Sequence, residues 1–136
     1  MAPRHIRVVA AVVQQNDRYL ITQRRPSAIL PLLWEFPGGR VEAAETDTQA
    51  LSREVFHRLQ VTVTVGVLMS YVCHKYDKYV VDLHLYQCDI QSGTLTNANV
   101  NDHAWVRSED FDKYLFTPAD ESSVAALLGL ADNNDP

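Results

Sequence analysis

The chemistry open to this chain centres on two glycines and five charged residues. Gly38 and Gly39 follow the segment Trp34-Glu35-Phe36-Pro37, and Glu45, Arg53, Glu54, His57 and Arg58 come after them. Glycines placed after a strand let the backbone come close to a ligand, because no side chain intervenes. Residues three and four apart share one face of a helix, which is the spacing of Glu54, His57 and Arg58. A turn carbonyl and helix carboxylates together suit a hard divalent cation, and such a cation suits a diphosphate. Without that spacing, the same stretch would read as a loop and a half-buried helix with solvated charges.

The pattern resembles the signature of the Nudix hydrolases, G-x5-E-x7-R-E-U-x-E-E-x-G-U with U apolar. Gly39, Glu45, Arg53, Glu54, Val55 and Val61 fall on it, and the lead-in from Trp34 to Gly39 is similar to the MutT branch. The resemblance runs from about Ile6 to Leu128. It implies the Nudix fold, an α+β architecture in which a mixed sheet lies between helices as an α/β/α sandwich. It also implies hydrolysis of a nucleoside diphosphate linked to another group, as in MutT-like conversion of a (d)NTP to the (d)NMP and pyrophosphate, with Mg²⁺ or Mn²⁺.

Carried over residue by residue, the resemblance makes Glu54 a metal ligand and candidate base, and the Gly38 carbonyl a backbone ligand. Glu45 and Arg53 become the pair that orients the loop against the helix. The basic pair Arg24-Arg25 falls near the substrate phosphates; without the resemblance it is a solvated strand end. Glu35 and Phe36 are further candidates for substrate contact, with Phe36 alternatively a core residue. Asp120 takes the place of an asparagine that reads an oxidised purine. An ionised aspartate accepts hydrogen bonds, which suits a base edge that presents donors, such as the guanine amide and amine. Asp120 is equally a helix cap or first-turn acid. Tyr19, Tyr71, Tyr76 and Tyr79 are all open as stacking partners for a base.

The chain also departs from the family. His57 and Arg58 stand where the family has two metal-binding glutamates, and Gln60 stands where it has glycine. A guanidinium is a permanent cation where a cation should bind. A further MutT glutamate aligns with Asn99, with Asp102 the nearest carboxylate. Three readings stay open. The first is a pyrophosphohydrolase with an altered or weakened metal site, with Glu54-x-x-His57 as a two-ligand unit and Arg58 on a substrate phosphate. Its imidazole would favour Mn²⁺, Zn²⁺ or Fe²⁺ over Mg²⁺. The second is a catalytically inactive Nudix domain that binds a nucleotide or a protein partner. The third is an interaction module, monomer or homodimer, whose surface uses Ile29, Leu30, Leu32 and Leu33. The first is the expectation adopted.

These residues need elements to position them. Ile6 to Gln14 and Tyr19 to Arg24 read as a hairpin around Asn16-Asp17. Trp34 to Phe36 is a short strand, and Val41-Glu42 continues it after a Gly-Gly turn. Thr46 is the N-cap of a helix whose stripe Leu51, Val55 and Leu59 faces the core. Alternating runs from Val61 to Tyr76 and from Tyr79 to Asp89 form a second hairpin, with a bulge at Gly66. His103 to Arg107 is a last strand, and Thr117-Pro118 opens a final helix, Ala119 to Leu128. A single domain over residues 1–130 and a disordered tail over 131–136 are expected.

Composition sets the limits. The chain has 136 residues and a formal net charge of −5, which disfavours general DNA or RNA binding through a basic face. No apolar run approaches the about 20 residues that span a membrane, and Val8 to Val13 is too short for a secretory core. Cys73 and Cys88 would not lie opposite each other in the second hairpin, so both read as buried free thiols in a reducing cytoplasm. His74, His84 and His103 have no zinc spacing, and no Ser-His-Asp or Cys-His set is legible.

Overall fold

The computed structural model describes residues 2–127. Its elements are β1 (Arg4–Gln15), β2 (Arg18–Gln23), β3 (Trp34–Glu35), β4 (Gly38–Arg40), α1 (Asp47–Leu59), β5 (Val61–Lys75), β6 (Tyr79–Gly93), β7 (Asp102–Val106) and α2 (Pro118–Leu127). A 3₁₀ segment, Ser108–Lys113, precedes α2. The expected tail lies outside the described residues, as does Leu128.

The central strand is β1, and it pairs in parallel with β6 over ten residue pairs, from Arg4↔Tyr79 to Val13↔Cys88. The remaining strand pairings are antiparallel, so the sheet is mixed. Successive side chains on a strand point to opposite faces. Val9, Ala11 and Val13 therefore pack in one core with Leu51, Val55 and Leu59 of α1, while Ala10 and Val12 pack in a second core with Leu85, Phe36 and Ala119. Each face of the sheet is covered by helix, as the sandwich requires. Helix α1 begins as the sequence requires. Thr46 accepts a hydrogen bond from the Gln49 N–H, and the Gln49 side chain accepts one from the Thr46 N–H, a reciprocal cap.

Three local expectations are corrected. Gly38 and Gly39 do not form a turn. They are strand β4, in register with Ala10 and Val9, and neither has positive φ. A Cβ on Gly38 would overlap the backbone of Val9 and Ala10, and one on Gly39 would overlap the Glu54 carboxylate. The glycines are there for close approach rather than for bending. The strand ends at Arg40, so Val41-Glu42 does not extend it. Cys88 is buried but Cys73 is exposed; both are free.

Candidate functional site

Glu54 and Arg58 are one helical turn apart on α1, and both line a cleft of about 310 Å³ beside Gly38 and Gly39. Glu54 is 9% exposed. On its N-terminal side the charges are tied down. Arg53 donates to both Glu45 carboxylate oxygens (2.7 and 2.9 Å), to the Arg40 carbonyl (3.0 Å) and to Glu54 Oε1 (3.2 Å). Glu45 also accepts from the Glu42 N–H at 2.9 Å. Arg53 and that backbone bond hold the Glu45 carboxyl at about 2, well below its ordinary value. This bonding fixes the loop after β4 against the helix.

Arg58 is different. Its Nε is buried without a hydrogen-bond partner, with Glu54 Oε2 at 3.7 Å and Glu35 Oε2 at 3.8 Å from its guanidinium. Glu35 already accepts from Arg24 at 3.2 and 3.3 Å, and Arg24 Nε donates to the Ile29 carbonyl at 2.6 Å. Burial raises the Glu35 pKa, opposed by Arg24 and Arg58.

A second cavity of about 390 Å³ adjoins the cleft. Arg24, Glu35 and Asp120 line both. Beyond them stand Tyr76 and Tyr79, stacked with ring centroids 5.2 Å apart, and the apolar Ile29 and Leu30. Asp120 is 6% exposed. Its two oxygens accept from the Phe36 N–H (3.1 Å) and the Thr117 hydroxyl (2.6 Å). Burial, and then the charge of Glu35, push its carboxyl up to about 7 against those two bonds. Asp120 thus joins the start of α2 to the strand that enters the glycines, and it borders the cavity as well.

The cleft gathers Gly38, Arg53, Glu54, Arg58, Arg24, Glu35, Phe36 and Asp120. Glu45 reaches it only through Arg53. Phe36 is also core, with its ring 6.1 Å from that of Phe116. Arg25 and His57 are exposed and line neither cavity. The His57 carbonyl accepts from the Asn99 side chain (2.9 Å) and the Arg58 carbonyl from the Asn99 N–H (3.1 Å), so Asn99 closes the end of α1. Asp102 is exposed and outside the cleft, where its carboxylate accepts from the His103 N–H. Of the four candidate tyrosines only Tyr76 and Tyr79 border the cavity; Tyr19 packs on Phe111 and Tyr71 bonds to Asp82. Arg40 and Thr117 also line the cavities, and the sequence did not single them out. The place of Arg40 directly after the glycines was the available signal.

Residues 8–126 match the sequence profile of the NUDIX domain family. The chain belongs to the Nudix family. It is 31% identical over 125 residues to the CTP pyrophosphohydrolase of Escherichia coli K12, covering 92% of this chain and 93% of that protein. It is 26% identical over 129 residues to the 8-oxo-dGTP diphosphatase of Haemophilus influenzae, covering 94% and 95%. The solution structure of the E. coli ORF135 protein superposes with TM-score 0.80 at 29% identity, covering 97% and 94% of the two chains. A MutT protein from Methanosarcina mazei, at 17% identity and TM-score 0.81 over 99% of each chain, shares the fold. The mixed-sheet Nudix fold and the pyrophosphohydrolase family read from the sequence are both borne out.

Nudix hydrolases generally use divalent metals, and the donors of this cleft can be tested against one. Alternation in an antiparallel ladder supplies one donor. Ala11 N–H donates to Pro37 and Val41 N–H to Arg7, so Gly38 and Arg40 carry their carbonyls outside the ladder. The Arg40 carbonyl accordingly meets Arg53 of α1, and the Gly38 carbonyl emerges on the same side. The next donors are the oxygens of Glu54, whose partners are already Arg53 and Arg58. Two unit charges about 4 Å apart attract by about 4 kcal/mol at an effective dielectric of about 20, which an incoming cation would have to displace. Among the described residues no group of three or more His, Cys, Asp or Glu is arranged to hold a metal ion. The residues present do not fit a carboxylate-rich metal site.

Proposed function

We propose that this Nudix domain is a nucleotide pyrophosphohydrolase with a weakened metal site. A nucleoside triphosphate would lie across the adjoining cavities, its base beside Tyr76 and Tyr79 and its phosphates beside Glu54, Arg58 and Arg24. The observation that carries this is adjacency: a chamber with aromatic and apolar lining and a charged cleft share Arg24, Glu35 and Asp120 in their walls. Bases need the first kind of surface and phosphates the second. The relatives named above act on CTP or 8-oxo-dGTP. Cytosine and guanine both present amine donors that an Asp120 oxygen can accept. In this reading Glu54 is the catalytic carboxylate, and Arg53 and Glu45 hold it in place. Mg²⁺ or Mn²⁺ would find Glu54 and the Gly38 carbonyl as protein donors; His57 would have to leave its exposed position to join them. Free thiols at Cys73 and Cys88 agree with a cytoplasmic setting.

A second reading is favoured by one contact: Arg58, at a family metal-ligand position, lies 3.7 Å from the carboxylate that should hold the metal. That describes a domain that binds nucleotide without turning it over. A hydrolysis screen with CTP and 8-oxo-dGTP, in Mg²⁺ and in Mn²⁺, separates the two. The enzyme reading expects pyrophosphate release by the wild type and a loss of about 100-fold or more in Glu54→Gln. If the wild type releases none and a double change of His57→Glu and Arg58→Glu creates turnover, the binding-only reading replaces it.

A further inference from the structure

We propose that Arg58 supplies the positive charge of the phosphate site, so that the diphosphate of a nucleotide binds through guanidinium groups without a divalent cation. The proposal rests on the nucleotide reading above and adds how the phosphates are held.

The first observation is an unspent donor. The Arg58 side chain is 24% exposed and forms part of the cleft wall. Its Nε is buried and unpartnered, and the nearest carboxylate oxygens, at 3.7 and 3.8 Å, lie beyond hydrogen-bond distance. A buried N–H without an acceptor is costly, and a polar ligand that supplies the acceptor recovers that cost. A phosphate beside the exposed part of the side chain would offer two oxygens at the spacing of the guanidinium fork.

The second observation is that the neighbouring arginines are committed. Arg53 is bonded to Glu45, Glu54 and the Arg40 carbonyl, and Arg24 to Glu35 and the Ile29 carbonyl. Their charge still adds to the field in the cleft, but their bonds hold the scaffold. The Arg58 guanidinium instead has ion-pair neighbours at 3.7 and 3.8 Å and a buried Nε without a hydrogen bond.

The third observation is the lack of another group for the task. The described residues offer no carboxylate cluster for a metal, and Glu54 is ion-paired with Arg53 at 3.2 Å. A phosphate entering here meets a cation that is already fixed to the protein, and no metal need be recruited to bring it in.

The test is calorimetric titration of the intact protein with α,β-methylene analogues of CTP and dGTP, which resist cleavage, in EDTA and again in Mg²⁺. Wild type is expected to bind one analogue in EDTA with a Kd within about threefold of its value in Mg²⁺. Arg58→Gln, checked for an unchanged thermal midpoint, is expected to weaken the EDTA binding about 10- to 100-fold, the range of a charged hydrogen bond. Arg58→Lys should lose less. Wild-type binding that appears only with Mg²⁺, or Arg58→Gln binding in EDTA as tightly as wild type, overturns the proposal and leaves the nucleotide site standing. Binding of neither analogue in either buffer overturns the nucleotide reading as well.

Discussion

Arg53 and Arg58 stand on one helix, at the edge of one cleft, and are used in opposite ways. Arg53 spends its donors on Glu45, Glu54 and the Arg40 carbonyl. Arg58 leaves a buried donor unpaired. The same side chain is mortar at one position and an open valence at the next turn. What decides is the local supply of acceptors: Arg53 meets the Arg40 carbonyl and Glu45, while Arg58 meets carboxylate oxygens only at 3.7 and 3.8 Å. Charge in this site therefore divides into scaffold and reserve, and each part can be broken separately.

The largest effect belongs to the scaffold. Arg53→Ala leaves the Glu45 carboxylate without its cation and Glu54 with Arg58 alone, at 3.7 Å. Half-exposed charged hydrogen bonds of this number should cost about 2 kcal/mol in all. For a chain of this length that lowers the thermal midpoint by roughly 8 °C, measurable by calorimetry. A drop below about 2 °C would mean that the two arginines are not different in kind.

Acid sharpens the same contrast. The Glu45 carboxyl lies at about 2 in the folded protein against 4.5 ordinarily, first because of the Arg53 hydrogen bonds. Its folded pKa is lowered, so its contribution to stability is complete above 4.5 and is lost as pH falls toward 2. Unfolding in denaturant at intervals across that window should show a steeper loss of stability for wild type than for Arg53→Ala. Parallel curves would place the anchor of Glu45 elsewhere.

Much of the scaffold is legible in the sequence. The Thr46 cap and the Leu51, Val55, Leu59 stripe are local patterns, and local patterns fix helices. The hairpin formed by the alternating runs Val61 to Tyr76 and Tyr79 to Asp89 is legible for the same reason. The glycines read as a turn because the sequence shows what glycine permits and not what is adjacent. The strand β1 that excludes a side chain at Gly38 lies some thirty residues earlier in the chain. The parallel pairing of β1 with β6 is more remote still, and no short-range signal announces it. His57 groups with Glu54 and Arg58 in the sequence because a helical wheel gives the angle of a residue and not the width of the opening it faces. The cleft admits the residues at 54 and 58 and leaves His57 in solvent.

The end of α1 predicts a gain. Gln60 caps α1 with φ 61° and ψ 30°, left-handed backbone that favours glycine. A side chain there costs about 1–2 kcal/mol, and glycine returns part of it as a more flexible unfolded chain. The Gln60 side chain also accepts from the Thr96 hydroxyl at 2.9 Å, a bond that glycine would give up. Gln60→Gly should therefore stabilise by about 0.5–1 kcal/mol with nucleotide affinity unchanged. Equal or lower stability would show that the Thr96 bond outweighs the backbone strain.

The smallest effect on stability is the most telling for the comparison. Arg58→Met keeps the length of the side chain and its packing along the cleft wall while removing the guanidinium. Glu54 retains Arg53, and Glu35 retains Arg24 in two hydrogen bonds, so neither carboxylate is stranded. The ion pairs that disappear span 3.7 and 3.8 Å, and a buried donor with no partner disappears with them. A small penalty and a small gain should cancel to within about 0.5 kcal/mol, the range of substitutions that disturb no network. A thermal midpoint within about 2 °C of wild type is the expected result. A fall as large as that of Arg53→Ala would make Arg58 a second anchor, and the division into scaffold and reserve would fail at the residue on which it was drawn.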